Sequence, residues 1–299
     1  MSETALTFDC RGSTLVGVLH RPARPRRRGV LIVVGGGPQY RAGGHRQLVL
    51  WSRRMVDQSY AVLRFDYRGM GDSGGQFQGF EQVDDDIRCA VDRFFAEVPE
   101  LEEVVLWGEC DGASAIMFYA YRDRRVRGVV LLNPWARTEN LRARAVLRHY
   151  YLKRLLEPTF WRKLLTLRFN PLESLRSVLD VVRRSRAKLG TTQITAGNDL
   201  SAALPRDLPL PDRMLAGFQR FEGGIMLVMS GRDLIAREFD ELVKASPTWE
   251  ATLRGKDLRR HDLADGDHTF SSAAQRNQVL AWALDWLANP APAAGRSDA

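Results

Sequence analysis

Apolar positions along the chain alternate between short strand-like runs and stretches with helical spacing. Residues 15–19 and 30–34 read as strands, parted by the Arg/Pro-rich turn 21–28. Helical spacing over 47–59 leads to a strand at 61–65. The loop 66–75 then leads to an amphipathic helix over 80–97, whose early acids Asp84, Asp85 and Asp86 suit the helix dipole. A strand from 104, a helix over 113–121 and a strand over 126–132 follow. From about residue 136 to 221 the alternation stops, and the segment is basic, helical in spacing and proline-punctuated. It resumes with a strand at 224–230, a run at 257–263 and a helix over 275–288, before a tail, 289–299, that reads as disordered. Strands alternating with helices imply a mostly parallel sheet covered on both faces. The pattern predicts an α/β core from residues 1–135 and 222–288, with a helical cap inserted at 136–221.

A length of 299 residues and 44% hydrophobic content suit one large core with an insertion. The longest apolar runs have strand length, so no membrane-spanning helix is expected. The segment MSETALTFDC carries acids and no apolar stretch, which argues against a signal peptide. Cys10, Cys89 and Cys110 are too few and too scattered for a disulfide or zinc framework, so a reduced cytosol is the expected compartment. Charge changes the picture in one place. Residues 141–190 hold 13 Lys or Arg against 3 acids, a local +10 that exceeds the +8 of the whole chain. No nucleic-acid-binding pattern accompanies it, so nucleic acid is not the expected partner. Either it is a solvated basic face, or it meets an anionic lipid surface, an acidic glycan or an acidic carrier protein.

The candidate chemistry begins at Gly108-Glu109-Cys110-Asp111-Gly112. An apolar strand runs into this Gly-x-Cys-x-Gly and straight on into a helix. Such a strand-to-helix elbow needs glycines where side chains would clash, and lifts the central residue over the sheet edge. The following helix aims its first N–H groups at that residue, favouring a thiolate and the oxyanion it generates. A cysteine nucleophile needs a base, and the base an orienting acid. Asp233 lies just past the strand at 224–230, at its C-terminal edge, and His268 lies on the loop before the last helix, so acid and base follow the nucleophile in α/β-hydrolase order. Asp233 could equally cap a helix beginning at Leu234, and Asp267 is the competing acid. For the oxyanion, Asp111 supplies one backbone N–H. Gly37, with Gly36 as the alternative, supplies the other, because Pro38 has none. Glu109 is either inert or a modulator of thiol ionisation, and Arg68 and Asp72 look architectural. No cofactor or metal is required.

The stretches Gly35-Gly36-Gly37-Pro38-Gln39-Tyr40-Arg41-Ala42-Gly43, Arg64 to Ser73 and Leu106 to Ala113, with Leu131 to Trp135 and His149 to Leu152, resemble the exosortase A system-associated hydrolase of type 1. More widely, the chain is similar to α/β hydrolases of the serine-aminopeptidase-like and lysophospholipase-like groups, which carry Ser at the position of Cys110. The elbow alone also resembles dienelactone hydrolases and polyhydroxyalkanoate synthases. The resemblance implies an α/β-hydrolase fold and a setting in bacterial exopolysaccharide production, cytoplasmic or peripheral to the inner membrane. Three functions fit these features: an ester or thioester hydrolase; an acyltransferase passing the acyl group from Cys110 to a glycan or lipid; and a non-catalytic partner of a membrane polysaccharide assembly.

Overall fold

The computed structural model describes residues 2–35, 40–136 and 202–289. Eight strands form one sheet in the order β1-β2-β4-β3-β5-β6-β7-β8. They are β1 (Ser2–Cys10), β2 (Ser13–Arg21), β3 (Arg28–Val33), β4 (Val62–Phe65), β5 (Glu103–Glu109), β6 (Val126–Leu132), β7 (Gly224–Ser230) and β8 (Leu258–Leu263). Only β1 with β2 and β2 with β4 pair antiparallel; every later pairing is parallel. Strands β3, β5, β6 and β7 are mostly apolar and buried on both faces, as strands covered by two helical layers must be, while β4 carries the buried Arg64 among apolar neighbours.

The helices are α1 (Gln47–Asp57), α2 (Asp84–Glu97), α3 (Asp111–Tyr119), α4 (Leu210–Arg220), α5 (Leu234–Lys244), α6 (Pro247–Arg254) and α7 (Ala273–Ala288). One layer pairs α1 with α7, and the other runs through α2, α3, α4, α6 and α5. This is the mostly parallel, two-sided α/β sheet that the alternation predicts and the α/β-hydrolase fold that the resemblance implies.

Two differences have simple causes. β1 escapes the hydrophobic pattern because only Leu6, Phe8 and Cys10 face inward on an edge strand whose other residues are exposed. The helix expected from residue 80 begins at Asp84, after a separate short turn over Phe80–Gln82. Val83 breaks the run at φ −97°, ψ 12°. Within the predicted cap, α4 packs against the elbow helix α3 so closely that a Cβ at Gly217 would lie 2.0 Å from the Met117 carbonyl oxygen. Residues 137–201, including the basic stretch, and the tail from 290 lie outside the described residues.

Candidate active site

Chain order reverses at β3, whose neighbours are β4 and β5, and a crevice opens at such a switch beyond the carboxyl ends of the strands. Cys110 stands there, between β5 and α3. Its backbone adopts φ 57°, ψ −126°, a strained state for a residue with a side chain. The surroundings hold it: the Cys110 N–H donates to the Leu132 carbonyl at 2.8 Å, and its own carbonyl accepts from the Trp135 N–H at 3.1 Å. The elbow glycines fit for steric reasons. A Cβ on Gly108 would lie 2.7 Å from the Gly112 carbonyl carbon, and one on Gly112 would lie 2.7 Å from the Val33 carbonyl oxygen.

The Cys110 side chain is almost fully buried, at 4% exposure, and lines a cavity with His268, Glu109, Gln47 and Trp107. Burial pushes its thiol above the ordinary value, opposed by a hydrogen bond with His268 and one from the Asp111 backbone N–H.

His268 lies on the loop between β8 and α7, and its Nδ1 is 2.8 Å from Asp233 Oδ2. A carboxylate only accepts, so Nδ1 carries the hydrogen and Nε2 is left for the thiol. Burial disfavours the charged ring, but the bonds with Asp233 and Cys110 outweigh it and raise its pKa to about 10. Asp233 makes both contacts that its position suggested. Its Oδ1 and Oδ2 cap α5 through the Ile235 and Ala236 N–H groups, at 3.0 and 3.3 Å, while Oδ2 also meets His268. Asp267 turns away, accepting from the N–H and hydroxyl of Ser271.

Asn133, at the end of β6, was not singled out by sequence. It is fully buried, and its Nδ2 donates to Ser230 Oγ at 2.9 Å and to the His268 carbonyl at 3.0 Å, while its Oδ1 accepts from the Ser230 N–H. It thereby fastens the base-bearing loop to the end of the acid-bearing strand. Gln47 was missed as well: the first residue of α1, it donates to Glu109 at 2.6 Å. An Asn just past an apolar strand and a Gln opening a helix were the available signals.

The loop 66–75 is architectural, as expected. Arg68 grips buried Asp86 with its backbone N–H and guanidinium. Asp66 and Asp72 both hold Arg41, and Asp66 accepts its backbone N–H at 2.7 Å. This cluster fixes Arg41, which follows residues 36–39 in the sequence. Gly36 and Gly37 themselves lie outside the described residues. No metal-holding cluster of His, Cys, Asp or Glu occurs among the described residues, and none of their helices is long and apolar enough to cross a membrane.

Fold and site together define an α/β hydrolase. Residues 26–251 match the family described as serine aminopeptidase, S33, and the chain belongs to that family. At the elbow it carries cysteine where the family is named for serine. Its fold is similar to that of an esterase from Pyrococcus furiosus, with a TM-score of 0.63 at 14% identity over 97% of this chain and 92% of that one. It is also similar to a thermostable carboxyl esterase from Bacillus coagulans, with a TM-score of 0.61 at 13% identity over 97% and 99% of the two chains. A stretch of 135 residues is 27% identical to the quorum-quenching protein AidA of Acinetobacter baumannii. It covers 43% of this chain and only 42% of that relative.

Proposed function

We propose that the protein is a cysteine-nucleophile hydrolase that cleaves an ester or thioester through Cys110, His268 and Asp233. The observation that carries this reading is the contact series Asp233–His268–Cys110, ending on a positive-φ residue at a strand-to-helix turn. In its neutral form, the minority below about pH 10 and growing as pH rises, the His268 ring takes the thiol proton on Nε2 as Cys110 Sγ bonds to the substrate carbonyl carbon. Asp233 orients the ring and stabilises its charged form. The Asp111 N–H and an N–H of Gly37 or Gly36 receive the oxyanion. Its collapse breaks the bond to the leaving alcohol or thiol, which takes the proton from His268 and leaves an acyl thioester on Cys110. Water then loses a proton to His268 as it attacks that thioester, and the acid departs with the thiol restored.

The resemblance to the exosortase A-associated hydrolases supports an exopolysaccharide setting, and the basic stretch 141–190 supports an acidic glycan, carrier protein or membrane as the partner. The same stretch favours acyl transfer as the second reading, in which a bound alcohol or amine replaces water. A non-catalytic scaffold would have no need of three side chains held in contact. Turnover of activated short-chain esters and thioesters by Cys110→Ala, His268→Ala and wild type tests the assignment. Loss in both variants is expected, and Cys110→Ala at wild-type rate would overturn it. Adding glycan or alcohol acceptors separates hydrolysis from transfer by the product formed.

A further inference from the structure

Glu109, the last residue of β5, directly precedes Cys110 and lines the same cavity, yet the proposed chemistry does not use it. The residue as a whole is half-buried, but its carboxyl is held inside. Oε2 accepts the 2.6 Å bond from Gln47 Nε2, and Gln47 is itself 1% exposed. Oε1 is shut off from water and meets no hydrogen-bond partner. An ionised carboxylate would leave that oxygen unpaired in the interior, at considerable cost. A neutral carboxylic acid still leaves Oε1 unpaired but avoids the larger cost of burying a charge.

Among the described residues, the groups around the cavity point the same way. β3 contributes Val33 and Val34, and α1 contributes Gln47 and Leu48, all uncharged. The charged or titratable groups are Cys110 and Asp111 at the elbow, Asp233 from the β7–α5 loop, and His268 and Asp267 from the β8–α7 loop. Burial above all, then the charge of Asp233, pushes Glu109 up, while the charge of His268 and the Gln47 bond pull it down. The balance leaves its pKa raised to about 8. Near neutral pH the side chain is a neutral acid, and with Oε2 engaged by Gln47 its proton belongs on Oε1.

Resting on the reading of Cys110 as nucleophile, we propose that Glu109 is a positioning residue for that cysteine and works only as the neutral acid. In that form it spares the forming thiolate and oxyanion a negative neighbour, and Gln47 holds it in place. Once ionised, it opposes both, and turnover falls below what the rest of the site would sustain.

The test compares kcat/KM for wild type and Glu109→Gln on an uncharged activated ester, from about pH 6 to about pH 10. The variant-to-wild-type ratio cancels every titration that the Glu109 charge leaves unshifted. It should be level at low pH and climb roughly tenfold as pH passes about 8, because Gln cannot acquire the charge. A ratio independent of pH would overturn the inference. Gln47→Met supplies a second arm should Glu109→Gln fold poorly. Losing a bond that favours the carboxylate must move the wild-type bend to higher pH, and an unmoved bend counts against the proposal. Cys110→Ala separates the two readings. Its inactivity beside a level ratio sinks the role of Glu109 alone, whereas retained turnover in Cys110→Ala sinks the nucleophile on which that role rests.

Discussion

Asp233 serves two elements with one carboxylate: two N–H groups of α5 fix its rotamer, and the fixed rotamer presents Oδ2 to His268. Replacing it by Asn keeps the shape but removes the charge that holds His268 above the ordinary imidazole range. Asp233→Asn should lower kcat/KM by about a hundredfold to ten-thousandfold. It should also move the acid limb of the pH–rate profile downward, since a raising influence on the ring is gone. An acid limb that stays in place would show that Asp233 does not act on His268. Asn133 gives a different signature. Asn133→Ala leaves Ser230 and the His268 carbonyl without their partner in a fully buried setting. A loss of about 1–3 kcal/mol in a denaturant titration is expected, together with reduced activity as the base-bearing loop loosens.

At the scale of elements, the elbow depends on how closely β5, α3 and the end of β3 approach one another. Gly112→Ala forces a methyl against the Val33 carbonyl, where 2.7 Å is far below contact distance. It should cost about 2 kcal/mol or more and misplace the thiol, which thermal melting and thiol-labelling rates together would report. The elbow was readable from sequence because its requirements are local: an apolar strand, two glycines four residues apart and an immediate helix. The order Asp233 then His268 was readable because each follows a strand. Gln47 and Asn133 were not, because their roles come from partners 62 and 135 residues away. Edge strand β1 was hidden by having only one buried face, and the split before α2 by a turn at Val83 that helical periodicity does not register.

For the whole molecule, buried titrating groups tie stability to pH in opposite senses. Glu109 and His268 have folded pKa values raised to about 8 and about 10, so the native state holds extra protons between their unfolded and folded values. Stability therefore falls as pH rises through that range. His20, buried beside Arg64, has its pKa lowered to about 4, so stability falls as pH drops from about 6.5 towards that value. Melting temperature should thus decline above neutrality, and Glu109→Gln should flatten the part between about pH 5 and about pH 8. An unaltered slope would contradict the buried-acid assignment. The surplus of +10 over residues 141–190 carries its own expectation. Reversing Arg183, Arg184 and Arg186 to Glu should weaken salt-sensitive retention on anionic vesicles or acidic polysaccharide without changing turnover of a small neutral ester. Retention unaffected by the reversal would leave a solvated surface.

All of this turns on whether the acyl group passes through Cys110. Rapid-quench intact-mass measurement during turnover of an activated ester, followed by peptide mapping, answers it directly. One acyl mass is expected on the peptide carrying Cys110, and in a His268→Ala variant acylated by a reactive thioester it should persist longer than in wild type. Turnover with no acyl adduct at any time, or an adduct on another residue instead, would contradict it.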